Sequence, residues 1–199
     1  MQHTTREGWL EAAKNRLSAE FFCGETPPLP ERTQCSCSWM FRSAKAIGQC
    51  ITPQASADGT THILICPTQD HPIDVLGILL HEMIHAAVGV EFGHGKPFKD
   101  VMKRVGLKGK ATATFVEDGT DLYGFMSALS GDLGVYPHAA LSKTVNNKKD
   151  DGEEKPPRSL CMVSTEEPDY CFMISRVKYE TYGAPLDPWG KEMVIREKE

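Results

Sequence analysis

The stretch His81-Glu82-Met83-Ile84-His85 holds the residues best suited to chemistry in this chain. Two histidines four apart on a helix stack on one face, about one turn apart, so both imidazoles can reach one metal ion. Glu82, next to the first, can reach a water on that metal and act as a general base. This is the HExxH arrangement that binds zinc for peptide-bond hydrolysis. The flanks support it: Val75-Leu76-Gly77-Ile78-Leu79-Leu80 leads in and Ala86-Ala87-Val88 follows. Polar groups inside so apolar a helix need partners, because burying them unpaired is costly. A metal is such a partner.

Catalytic zinc takes three protein ligands and keeps a position for water. After His85 the chain offers Glu91, His94 and, later, Glu117. The metzincin pattern is excluded, since Val88 and Glu91 stand where it requires glycine and a third histidine. His94 is the strongest third ligand. The glycines on both sides of it, Gly93 and Gly95, allow the sharp reversal that would bring it back toward the metal.

The helix carrying the pair is expected from Pro72, which suits a first helical position, to about Val88 or Gly89. Upstream, Thr4 with Glu7 reads as a capping box, and Leu10, Ala13, Leu17 and Phe21 follow at helical spacing. Gly24 and the prolines at 27, 28 and 30 end that helix. A first strand is expected where Cys35, Cys37, Trp39 and Phe41 alternate with polar residues and Met40, a second at 46–51, and a third, apolar on both faces, at 62–66. Cys35 and Cys37 read as core packing in that alternation. A further helix starts near Lys96 or Pro97 and stops at Gly106, and 111–116 is another extended piece. Lys96, Lys99, Lys103, Arg104, Lys108 and Lys110 form the basic cluster of the chain. A solvated helix face accounts for it; a nucleic-acid contact through Lys96, Lys99 and Lys103 is the sharper reading.

Composition narrows the class. At 199 residues the default is one domain plus an appendage, and 40% hydrophobic content suffices for a core. The net charge of −5 gives no global reason to expect a polyanion partner. The N-terminus has no apolar core of an export signal, and the longest apolar stretch is interrupted by His-Glu-His, so no membrane association is expected. Seven cysteines without an export signal read as reduced thiols in a cytoplasmic protein.

His81-Glu82-Met83-Ile84-His85-Ala86 followed by Gly93-His94-Gly95-Lys96-Pro97-Phe98-Lys99 resembles the SprT-like (Spartan-type) zinc metalloprotease domain, closest to the small versions encoded by phages. In that family the third ligand is the histidine of an HGxxF-type segment after the HExxH helix. The resemblance runs from Trp9-Leu10-Glu11-Ala12-Ala13 through Ala46-Ile47-Gly48-Gln49-Cys50 and the segment at 106–114 to Tyr136-Pro137-His138-Ala139-Ala140-Leu141. It implies an α+β, zincin-like domain at 1–141: a small antiparallel sheet, an HExxH helix beneath it and a following helix. A linker at 142–159 and a small β-rich unit at 160–199 complete the chain. It also implies one Zn2+ per chain held by His81, His85 and His94, with Glu82 as base. Host cytoplasm is the expected location if a phage encodes the chain.

Spartan-type enzymes act on DNA-bound and DNA-crosslinked proteins, so the expected partners are a protein or peptide substrate and DNA. Substrate is expected to pair with an exposed sheet edge, the strand near 62–66. Tyr123, Tyr136 and His138 are candidates for stabilising the oxyanion. Relatives often end in a zinc ribbon with two cysteine pairs. Here only Cys161 and Cys171 remain and Asp187 occupies an expected ligand position, so the tail reads as a degenerate ribbon without metal. The alternative function is a non-catalytic, metal-containing DNA- or protein-binding adaptor, in which an intact Glu82 would have no use.

Overall fold

The computed structural model describes residues 3–40, 43, 45–137, 139–142 and 157–196. The chain is mixed α and β and divides into two compact units, Met1–Val145 and Asn146–Glu199.

In the first unit, helix α1 (Arg6–Phe21) is capped by Thr5, whose hydroxyl accepts the Gly8 N–H at 3.1 Å. The expected cap was Thr4. Glu7, instead of closing a capping box, accepts the Cys37 N–H at 3.1 Å, and so ties the helix to the sheet. Trp9, Leu10, Ala13 and Leu17 form its buried face. Strands β1 (Thr33–Cys37), β2 (Gly48–Ile51) and β3 (Thr61–Ile65) form one sheet in the order β1-β3-β2. The strand expected to continue through Trp39 and Phe41 ends at Cys37; Phe41 lies outside the described residues.

Two expectations about this sheet are corrected. It is not purely antiparallel: β2 runs antiparallel to β3, but β1 runs parallel to it. The strand at 62–66 is not an edge, because β3 lies in the middle with a partner on each side. Its composition explains this. Ile63, Leu64 and Ile65 are all buried, and a strand apolar on both faces is a covered, central one. The edge next to the candidate site is β2.

Helix α2 (Pro72–Val88) starts with proline at its first turn, as expected, and packs on β2, β3 and α1. Helix α3 (Lys96–Arg104) follows and buries Phe98, Val101 and Met102. Strands β4 (Lys108–Lys110) and β5 (Ala113–Phe115) pair as a hairpin, of which the sequence pattern indicated only the second half. Helix α4 (Asp121–Leu133) is not among the expected elements. Its signals are local: Thr120 caps the Tyr123 N–H at 3.3 Å, and Leu122, Met126, Leu129 and Leu133 recur along one buried face. The core of this unit is continuous through α1, β1, β3, α2, α3 and α4.

The second unit holds a sheet in the order β7-β6-β8, from β6 (Ser159–Val163), β7 (Cys171–Ser175) and β8 (Val194–Ile195), with helix α5 (Arg176–Tyr182). Its core is small: Leu160, Met162 and Met193, with Ile174 and Tyr179 against them. Cys161 and Cys171 are free thiols on β6 and β7. The turns are fixed by other residues. Ser164 Oγ accepts the Glu166 and Glu167 N–H groups, and Asp187 Oδ1 accepts those of Trp189 and Lys191. The Ser164 hydroxyl donates to Asp187 Oδ2 at 2.6 Å, and both residues are buried.

No described helix is long and apolar enough to cross a membrane.

Candidate metal centre

One face of α2 carries Val75, Leu76, Leu79, Leu80, Met83 and Ile84 into the core. The 3.6-residue period then turns His81 and His85 together to another side. Gly77 lets a neighbour come close: a Cβ there would stand 3.0 Å from Val116 Cγ2. That approach brings the β4–β5 hairpin alongside the helix. After α2, Gly89 and Gly93 have positive φ, 98° and 49°, and bracket a 3-10 turn at Val90–Phe92. Of the two glycines expected to make the reversal, Gly93 does so together with Gly89, while Gly95, at φ −70°, is the N-cap of α3; the turn returns His94 to the helix.

The three imidazoles converge. His94 Nε2 lies 3.2 Å from His81 Nε2 and 3.2 Å from His85 Nε2. Three ring nitrogens each about 2.0–2.1 Å from a tetrahedral zinc stand about 3.3 Å apart, so the spacing suits such an ion. Burial and the neighbouring imidazoles hold His81 down at about 3 and His85 at about 4, and burial also lowers His94. At neutral pH the rings are therefore neutral, the form that donates a lone pair to a metal. His85 Nδ1 is buried without a protein partner, while His81 Nδ1 lies 2.9 Å from Thr114 Oγ1. With Nδ1–H donating to that hydroxyl, Nε2 is left free to ligate. Phe98 is fully buried, its ring centroid 4.8, 4.5 and 4.9 Å from those of His81, His85 and His94.

Glu82 is buried beside this cluster, next to the Cys50 backbone N–H of β2. Burial pushes its acid up to about 8, against the influence of that N–H, which favours the ionised form. The triad and Glu82 open onto a cleft of about 540 Å3. Its walls are 45–50 on one side, Thr112, Ala113 and Thr114 of the hairpin on another, and Ile78, Val90 and Gly93. Cys66 N–H donates to Ile47 C=O at 2.8 Å. By alternation along the antiparallel ladder, Ile47, Gln49 and Ile51 bond toward β3, and the backbone groups of Gly48 and Cys50 point to the free edge.

Other expected residues fall elsewhere. Glu91 and Glu117 are exposed and outside the cleft lining. Among the described residues, the His/Cys/Asp/Glu group able to hold a metal is His81, His85 and His94. Tyr136 is in the core, stacked edge-on against Trp9 at 5.0 Å, and Tyr123 lies on α4; neither lines the cleft. Both are therefore corrected as oxyanion candidates, and His138 lies outside the described residues. Lys96 pairs with Asp100 at 2.5 Å, and Lys99 and Lys103 are exposed on the same helix.

Gly48, Cys50 and Thr114 belong to the site without having been expected there. Gly48 carried a signal, since glycine inside a strand often marks a close approach. Thr114 carried none.

No curated protein and no solved structure matches the chain. The model of the SprT-like family matches residues 10–117, from α1 through the hairpin and past every residue of the triad. That match covers more than half of the sequence, and the chain belongs to the SprT-like family.

Proposed function

We propose that this protein is a zinc-dependent metallopeptidase that hydrolyses peptide bonds in protein substrates. The observation that carries the reading is the convergence of three neutral imidazole Nε2 atoms beside a buried carboxylate, on a cleft bordered by an open strand edge. A site that only held a metal for structure would have no use for Glu82 or for the cleft.

His81, His85 and His94 would hold the ion. Bound there, zinc supplies a Lewis acid for a carbonyl and a water, and its charge favours the ionised form of Glu82. Glu82 accepts a proton from the attacking water and delivers it to the leaving amine. An extended substrate pairs with β2 through the outward-facing backbone groups of Gly48 and Cys50. This replaces β3, which has no free edge. Exposed Lys99 and Lys103, close in sequence to His94, support DNA-associated proteins as the substrate class.

The test is proteolysis of casein and of a DNA-binding protein by the purified chain, with and without DNA and chelator. Cleavage that stops in chelator and returns with zinc supports the reading. Absence of cleavage under every condition, with zinc bound, favours a non-catalytic module.

A further inference from the structure

A Cβ built at Gly48 would stand 2.6 Å from Glu82 Oε1, 2.7 Å from Ile78 Cγ2 and 3.0 Å from Glu82 Cγ. Real Cβ atoms essentially never approach other heavy atoms as closely as the first two of these distances. The volume a side chain would fill at position 48 is therefore the volume the end of Glu82 occupies. Backbone conformation does not demand glycine here, because Gly48 is not among the residues with positive φ. The reason for glycine is space. Two residues on, the Cys50 N–H points to the same free edge of β2 and favours the ionised form of the same carboxylate.

We propose that Gly48 is a positioning residue for Glu82: its missing side chain and the Cys50 N–H together form a seat that fixes the carboxylate on the cleft side of β2. The consequence for catalysis rests on the peptidase reading; the seat itself does not. A methyl group at position 48 would drive the carboxylate from this seat. A displacement of about 1 Å in a reacting group can cost about a hundredfold in rate. The substitution leaves the Gly48 N–H and C=O in place, so substrate pairing on β2 should survive it. The three histidines are likewise untouched.

Gly48→Ala also meets the stiff Ile78 methyl, an obstacle to folding unrelated to Glu82, so the comparison is made within an Ile78→Ala background, which removes that atom. There, Gly48→Ala should lower kcat about a hundredfold, with KM within about twofold and zinc content unchanged. A rise in KM at unaltered kcat, or no change in either, overturns the proposal, as does loss of zinc. A second readout needs no activity: the thermal cost of Gly48→Ala, measured in Ile78→Ala chains that carry either Glu82 or Glu82→Ala. The cost should be clear with Glu82 and nearly absent with Glu82→Ala, a coupling expected only of groups in contact. Equal cost in both overturns the seat. If the parent chain cleaves nothing, the thermal coupling still decides: present, it upholds the seat while the peptidase reading falls.

Discussion

Three imidazoles can share one metal only if each ring presents a particular nitrogen, and at His81 a hydroxyl does the turning. Thr114 Oγ1 sits 2.9 Å from His81 Nδ1, 33 residues along the chain. Thr114→Val keeps the shape of the side chain and removes the hydroxyl. Zinc affinity, measured by competition with a chromophoric chelator, should weaken about 10–100-fold, the usual cost of losing a ligand's supporting hydrogen bond. In the same assay His94→Ala should weaken it far more and Glu91→Ala hardly at all. The reverse order would make Glu91 the third ligand. The candidate triad was legible in the sequence because its histidines lie on adjacent helical turns and a glycine bend. Thr114 and Gly48 were not, because only the folded sheet and hairpin bring them to α2.

Elements were legible to the extent that their patterns are local. Pro72 and the apolar run marked α2, and Gly93 marked the return that delivers His94. Strand order was not legible, since pairing partners are set by packing between distant segments. The run at 63–65 did carry the answer in its two apolar faces, which a central strand needs and an edge strand does not. Between elements, Phe98 of α3 contacts all three imidazoles from within the core. Phe98→Ala should cost about 3–5 kcal/mol of stability in denaturant unfolding, and should also weaken zinc binding through the loosened rings. A stable variant with unaltered zinc affinity would show that the ring is not a support for the ligands.

At the scale of the whole molecule, the second unit was expected to hold no metal, on the ground that Cys161 and Cys171 are two cysteines where a ribbon needs four ligands. In the structure the buried Ser164–Asp187 hydrogen bond links the turns that follow β6 and precede β8. The purified chain should carry one zinc, and Cys161→Ser with Cys171→Ser should leave that count and any peptidase activity intact. A count near two that falls to one in the double variant would mean that the tail holds metal through those thiols. If the triad and one buried carboxylate make this chain a peptidase, Glu82 is needed for turnover and not for metal binding. The most direct measurement compares cleavage of a protein substrate by the zinc-loaded chain and by its Glu82→Gln variant, with zinc content determined on the same samples. Equal zinc and a loss of turnover of at least about a hundredfold are expected in the variant. Cleavage at an undiminished rate by Glu82→Gln with its zinc in place would remove Glu82 as the base and overturn the peptidase mechanism.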